Sequence, residues 1–298
     1  MLKKITSRIP HHRKALIYIS FSALLWSTSG FFIKFLSINA FQISFYRSSI
    51  AAATVLVISL LRKQKLTFNT DITSILGSIF YAGILVLFVV ATKLTTAANA
   101  IFLQFTAPIY LLVLEPVFLK TKFENKNLIT IIICIVGMFL FFFGKLEPGD
   151  IYGNIFAIMS GICFALFTLI LKWKKQKKEA ENTLYSVIVG NALVSFICFF
   201  IVYPHFSINL TETFSLLYMG IFQIGISYII FNEGIKYVSA TESLIIATME
   251  AIFNPIWVFL GIGEVPSIYS IAGGLIIMTA ILWRNLSGRT EKKVLHVE

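Results

Sequence analysis

The chain alternates between long apolar blocks and short polar interruptions, and the blocks are continuous rather than alternating residue by residue. Ten of them run approximately Ala15–Ser37, Gln42–Leu61, Ile72–Thr92, Asn99–Leu119 and Leu128–Phe143, then Ile151–Leu171, Leu184–Val202, Phe214–Phe231, Ser243–Gly261 and Ile268–Trp283. An α-helix needs roughly 17–25 residues to cross the hydrocarbon core of a bilayer, and most blocks have that length. Their continuity excludes a β-barrel, whose strands alternate lipid-facing and lumen-facing positions. Turn residues in Gly144-Lys-Leu-Glu-Pro-Gly-Asp150 divide the blocks into two sets of five. The remaining connections are short, the lysine-rich Lys172–Asn182 segment being the longest expected loop.

The two sets are related. Lys93-Leu-Thr-Thr-Ala-Ala-Asn-Ala100 is echoed by Lys236-Tyr-Val-Ser-Ala-Thr-Glu-Ser243, and the same offset of 143 pairs Gly77 with Gly220, Phe88 with Phe231 and Ile109 with Ile252. Five is odd, so the second copy enters the membrane from the side opposite the first, and the repeats are inverted about an axis in the membrane plane. The expected fold is therefore an all-α polytopic membrane protein of ten transmembrane helices in two inverted five-helix repeats. Residues 15–145 and 150–285 form the repeats, with tails at 1–14 and 286–298.

Composition agrees: 57% of the 298 residues are hydrophobic and 13% charged, about half the charged share of an average globular chain. The net charge of +11 raises the question of nucleic acid, but its distribution answers it. With ten spans and an internal N-terminus, 21 of the 25 Lys and Arg fall on one side, leaving Lys34, Arg47, Lys93 and Lys145 on or near the other. That asymmetry is the positive-inside bias of a plasma-membrane protein with both ends cytoplasmic. It gives no reason to expect nucleic acid as a partner. The first block is too long for a signal-peptide core and reads as a retained anchor. Cys134, Cys163 and Cys198 lie apart within apolar blocks and read as small buried hydrophobes. All four histidines fall outside the spans, so neither a metal site nor a cofactor is expected.

Polar side chains inside a bilayer are costly and mark pathways by default. Glu250 is central in the ninth block, with Asn254 one turn on and Trp257 another, so the three lie near one helix face. Arg47 follows Tyr46 about two turns into the second helix, where it either snorkels to the surface or pairs with Glu250 or an anionic substrate. Tyr81, Gln104, Gln223 and Tyr228 are further polar positions in the third, fourth and eighth helices. Trp26 stands beside Ser27, Ser29 and Gly30 and forms either a cavity wall or a close helix contact.

The Trp26-Ser-Thr-Ser stretch, Arg47 early in helix 2, the Thr/Ser-Ala starts of helices 4 and 9, and Gly263-Glu264 followed by Gly273 together resemble the drug/metabolite transporter superfamily with EamA-type repeats. The resemblance spans about Ala15 to Arg284, with departures at Thr121 and Ala251. It implies a cavity lined by Trp26, Tyr46, Arg47, Tyr81, Gln104, Tyr228, Glu250, Asn254 and Trp257. It also implies secondary transport of a small organic metabolite, amino acid-like or nucleoside-like, by a monomer or homodimer embedded in membrane lipid. Coupling, if to protons, falls to Glu250. The competing class is an intramembrane lipid-modifying enzyme, which would need a charged or metal-binding cluster at the membrane surface, and neither that nor a nucleophilic triad is found; the lack of a phosphate-binding loop argues against an ATP-driven pump. In a cysteine-free background, Lys145→Cys and Lys177→Cys should react with an impermeant thiol reagent from opposite faces of the membrane. Labelling of both from one face would overturn the ten-span topology.

Overall fold

The computed structural model describes residues 11–63, 71–120, 125–140, 142–143, 148–176, 183–234, 237 and 240–294, so Lys145, Lys177 and Lys236 lie outside the described residues. Its helices are α1 (His12–Phe35), α2 (Ala40–Leu61), α3 (Ile72–Leu94), α4 (Ala97–Leu119), α5 (Asn125–Leu140), α6 (Pro148–Gln176), α7 (Thr183–Val202), α8 (Leu210–Gly234), α9 (Ala240–Ile262) and α10 (Ile268–Val294). Seven are long and apolar enough to cross a membrane, and α5, α9 and α10 carry shorter apolar stretches of 10–17 residues.

Local chemistry sets the ends. Asn39 and Asn209 open α2 and α8 with capping boxes, each accepting from the backbone three residues on while Gln42 and Glu212 reach back to the cap. Thr96 caps α4 through the Asn99 N–H at 3.1 Å, so that helix begins earlier than its apolar block. The expected loop from Lys172 is a correction. α6 continues to Gln176, because lysines in a last helical turn complement the helix dipole and extend into the polar interface. Three spans are irregular inside. α1 breaks at Thr28 and α4 at Thr106, where each hydroxyl bonds the carbonyl three residues back (Leu25 O, 2.7 Å; Leu103 O, 2.6 Å). α8 widens into a π-helix over Met219–Ile226.

The extensive interfaces join one half to the other, and they occur in matched pairs. α3 packs on α6 as α8 packs on α1; α1 meets α9 as α6 meets α4; α3 meets α7 as α8 meets α2. The pairs α2–α7, α5–α10 and α4–α9 map onto themselves. This is the pattern an inverted repeat produces. The helices therefore form two mixed bundles, α1, α2, α8, α9 and α3, α4, α6, α7, which meet chiefly along α2–α7 and also along α2–α3 and α4–α9, with the α5–α10 pair packed against α4 and α9.

The repeat-related glycines occupy equivalent interfaces. A Cβ at Gly220 of α8 would fall 2.5 Å from Ile50 Cβ and 3.0 Å from the Arg47 carbonyl of α2, whereas one at Gly77 of α3 would meet Ser186 Oγ of α7 at 3.3 Å. Small residues let helices approach closely where no hydrophobic effect drives them together. Outward positions such as Leu61, Val117, Phe139, Phe200 and Leu260 are exposed and apolar, as a lipid-facing surface requires.

Overpacking of this kind typically costs about 1–3 kcal/mol. Gly220→Ala should accordingly lower the temperature at which the detergent-purified protein loses its monodisperse chromatographic peak. Gly77→Ala, facing a movable hydroxyl and an ordinary contact with Ile170, should shift it less. Equal shifts would contradict the tighter α2–α8 contact.

Candidate functional site

Where the two bundles meet, the interior becomes polar. Arg47 projects from α2 and is 2% exposed, its Nη2 donating to Leu85 O of α3 at 3.2 Å while Nε has no partner. One turn before Leu85, Tyr81 is fully buried, and its ring meets Tyr228 of α8 edge-on at 5.2 Å and Phe167 of α6 at 5.3 Å. Trp26 of α1 lies 4.9 Å from Tyr228 and 5.0 Å from Phe231. These rings form one continuous aromatic wall drawn from both bundles.

Glu250 stands in α9, and Arg47 is held by the backbone of α3. Arg47 and Glu250 make no ion pair with each other, so the pairing weighed from sequence is not formed.

Around the same rings several buried polar atoms lack protein partners: Trp26 Nε1, Arg47 Nε, Gln223 Oε1 and Asn191 Oδ1. Gln223, in the π segment of α8, uses its amide nitrogen on Thr28 Oγ1 at 3.3 Å, beside the α1 break. Asn191 of α7 donates to Val187 O at 2.8 Å and to the Tyr81 hydroxyl at 3.4 Å. An unsatisfied buried polar group costs about 1–3 kcal/mol, so each of these atoms calls for a partner that the described residues do not supply.

The other sequence-derived residues lie elsewhere. Asn254 and Trp257 stitch α9 to the break in α1: Asn254 Nδ2 donates to Ser29 Oγ at 3.1 Å and Trp257 Nε1 to Ser27 Oγ at 2.9 Å. Gly30 makes this possible, since a Cβ there would fall 2.2 Å from Asn254 Oδ1. Gln104 faces α6 and donates to Ser160 Oγ at 2.7 Å, which donates in turn to Ile84 O at 3.1 Å. Tyr46 sits toward one end and donates to Phe206 O at 2.5 Å. Trp26, Tyr81 and Tyr228 are thus brought together, with Arg47 bonded to the α3 backbone one turn on from Tyr81, whereas Tyr46 and Gln104 lie apart. Asn191 and Thr28 were not singled out by sequence, although an asparagine in the middle of an apolar block is itself the signal for Asn191.

The end bearing the α1–α2 and α3–α4 turns is clamped across the bundles. Lys34 of α1 pairs with Glu264 after α9 at 3.0 Å, and the other oxygen of Glu264 accepts the Ala97 N–H at the start of α4 at 2.7 Å. Lys93 of α3 donates to Leu36 O, and Gln42 of α2 donates to His205 O at 3.0 Å. At the opposite end Lys174 of α6 pairs with Asp71 at 3.5 Å. Desolvation alone would raise the Asp71 pKa. Hydrogen bonds from Ser74 and Thr73, with the Lys174 ammonium, outweigh it and hold the carboxyl well below the usual range, so the α3 cap stays ionised at neutral pH.

The EamA-like transporter family model matches residues 13–143 and again 151–286. An uncharacterized transporter of Archaeoglobus fulgidus is 23% identical over 89% of this chain and 95% of its own length. Another, from Clostridium kluyveri, is 26% identical over 85% and 86%. The human solute carrier family 35 member G1 is 24% identical over 89% of this chain and 77% of its own. A crystal structure superposes on 93% of this chain and 99% of its own with a TM-score of 0.67 at 15% identity, a likeness of fold alone.

The clamp makes a measurable prediction. Thr95, 2% exposed beside Ala97, becomes a reporter as Thr95→Cys in a cysteine-free background. Adding Glu264→Ala, which removes ion pair and cap together, should speed its reaction with a thiol reagent in purified protein several-fold. Glu264→Gln, which keeps an acceptor for Ala97, should fall between. An unchanged rate would show that Glu264 does not hold this end closed.

Proposed function

This chain belongs to the EamA-like transporter family, whose model matches it twice, and on that premise we propose that it moves a small organic metabolite, amino acid-like or nucleoside-like, by alternating access. The family consists of membrane transporters rather than enzymes, and a small-molecule substrate follows from that. The finer reading is our own: a plasma-membrane protein with both termini cytoplasmic, repeats at 15–145 and 150–285 between tails at 1–14 and 286–298, acting as a monomer or homodimer.

The observation that carries this reading is the group of partnerless polar atoms where the mixed bundles meet. Inverted repeats have two equivalent packings, so tilting one bundle against the other opens the centre to either side. The moving units in this reading are not the sequence halves. Each bundle draws helices from both, and the ties Lys34–Glu264–Ala97, Lys93–Leu36 and Gln42–His205 are the contacts broken when the α1–α2 end opens. Glu250 of α9 supplies the coupling, its protonation alternating with substrate binding.

Purified protein in liposomes tests this. Saturable uptake that responds to an imposed proton gradient is expected. Glu250→Gln, similar in volume to the protonated acid, should abolish gradient-driven accumulation and leave substrate exchange in place. Unchanged accumulation in that variant would remove Glu250 from the coupling step, and lipid turnover without solute flux would overturn transport.

A further inference from the structure

Inside an α-helix each carbonyl accepts from the N–H four residues on, and at Thr28 of α1 that pairing slips by one place. The Thr28 N–H bonds Leu25 O at 3.4 Å rather than Leu24 O. Two hydroxyls fill the gap: Ser27 Oγ donates to Leu24 O at 2.7 Å, and Thr28 Oγ1 donates to Leu25 O at 2.7 Å. Each hydroxyl oxygen then accepts from another helix of the same bundle. Trp257 Nε1 of α9 reaches Ser27 at 2.9 Å, and Gln223 Nε2 of α8 reaches Thr28 at 3.3 Å. Side chains inserted into the backbone ladder bend helices, and a tightened turn within a helix often marks a hinge.

The break also divides α1 by its neighbours. Residues 12–27 pack on α8 and α9 of their own bundle, whereas Ser29–Phe35 also meets α3 and α4 of the other. Ile33 and Leu36 share a buried apolar cluster with Phe88 and Val89 of α3 and with Ala100 and Ile101 of α4. The tip carries the ties across the bundles, Lys34 to Glu264 and Lys93 to Leu36 O. α6, the counterpart in the second repeat, lacks this device. Aligning Lys34 with Lys172 sets Ala165 and Leu166 opposite Ser27 and Thr28, and neither has a hydroxyl. α6 is helical without interruption over Pro148–Gln176, and among the described residues it forms no comparable interface with α8 or α9.

We propose that Ser29–Phe35 is the gate of the α1–α2 end, hinged at Ser27 and Thr28, and that Gln223 is the positioning residue that holds the hinge bent. This rests on the transport reading and adds a local movement to the tilt of the bundles: at the α1–α2 end the first step is the swing of one helical segment. Hydrogen bonds in a chain reinforce one another, so the Gln223 donor strengthens the bond from Thr28 Oγ1 to Leu25 O. Without that donor the hydroxyl competes less well, and the Thr28 N–H returns to Leu24 O. α1 then straightens and Ser29–Phe35 leaves α3 and α4. Gln223 is fully buried with its Oε1 partnerless, so among the described residues its side chain is held by the hinge bond.

The test uses the full chain in liposomes, in a cysteine-free background, with nitroxide labels on two exposed pairs that each link α1 with α3. Phe35→Cys with Leu94→Cys spans these helices beyond the hinge, and Phe21→Cys with Ile79→Cys spans them before it. Distances are read by double electron–electron resonance. Thr28→Val, which keeps the shape and removes the hydroxyl, should add a longer component to the outer pair and leave the inner pair at its original distance. Gln223→Leu should do the same to a smaller extent. Thr28→Ser, which retains the hydroxyl, should match the unsubstituted protein. Gln223→Leu leaves α1 itself intact, so it reports on the hinge even where Thr28→Val fails to fold. If both pairs lengthen together, the bundles move as rigid units, and if neither changes, Thr28 and Gln223 only pack. Either result overturns the hinge and leaves the transport reading standing, because solute flux into liposomes tests that reading separately.

Discussion

Each helix of one half is buried chiefly by helices of the other, and this interlocking constrains the rest of the molecule. In a bilayer there is no hydrophobic drive for helices to associate, so association depends on close contact and on polar groups finding partners. Both are supplied across the halves. Gly220 admits α2 to α8, and Gly30 admits Asn254 of α9 to α1. Gln104 of α4 reaches Ser160 of α6, and Trp257 of α9 reaches Ser27 of α1. The repeat visible as a sequence offset is thus a relation between interfaces more than between domains. A five-helix half taken alone would leave these glycine surfaces and hydrogen-bonding groups facing lipid.

The irregular backbone follows from the same constraint. Non-helical backbone at membrane depth is tolerated only where protein or a cavity satisfies it. The α1 break lies against Trp257, Asn254 and Gln223, and the α4 break lies beside Gly161, where a Cβ would fall 2.9 Å from the Gln104 carbonyl oxygen. The π segment of α8 is placed in the same region, where widened turns commonly serve function. Departures from ideal helix therefore gather beside the polar centre rather than along the lipid-facing rim.

The ten spans were legible because an apolar block of membrane-crossing length has few other readings, and the inversion followed from an odd helix number. Trp26, Arg47, Tyr81, Tyr228 and Glu250 were legible as polar or aromatic positions out of place in such blocks. Periodicity along one helix could not show which of them meet, since that depends on contacts between α1, α2, α3, α8 and α9. Tyr46 and Gln104 carried the same signal and resolve differently, because Phe206 O and Ser160 Oγ satisfy them locally. The helix breaks were illegible for a related reason: threonine is ordinary in a membrane helix, and only the surrounding contacts make the bond to the i−3 carbonyl win. Lys34 and Glu264 were both noted from sequence, but a pair 230 residues apart has no local signature.

That pair shows how one end of the molecule resists gradual opening. Glu264 serves two partners at once, the Lys34 ammonium and the first N–H of α4. The helix N-terminus carries a partial positive charge, so the carboxylate joins two positive sites, one on each bundle. Separating the bundles by even a small distance breaks the directional N–H bond first, and the ion pair then loses the geometry that the cap had fixed. Lys93 behaves similarly, since its bond to Leu36 O occupies a C-terminal carbonyl of α1 that no intrahelical donor serves. Contacts of this type fail together rather than one by one. A clamp that is either made or broken is what the alternating access proposed above requires of the end it is not using.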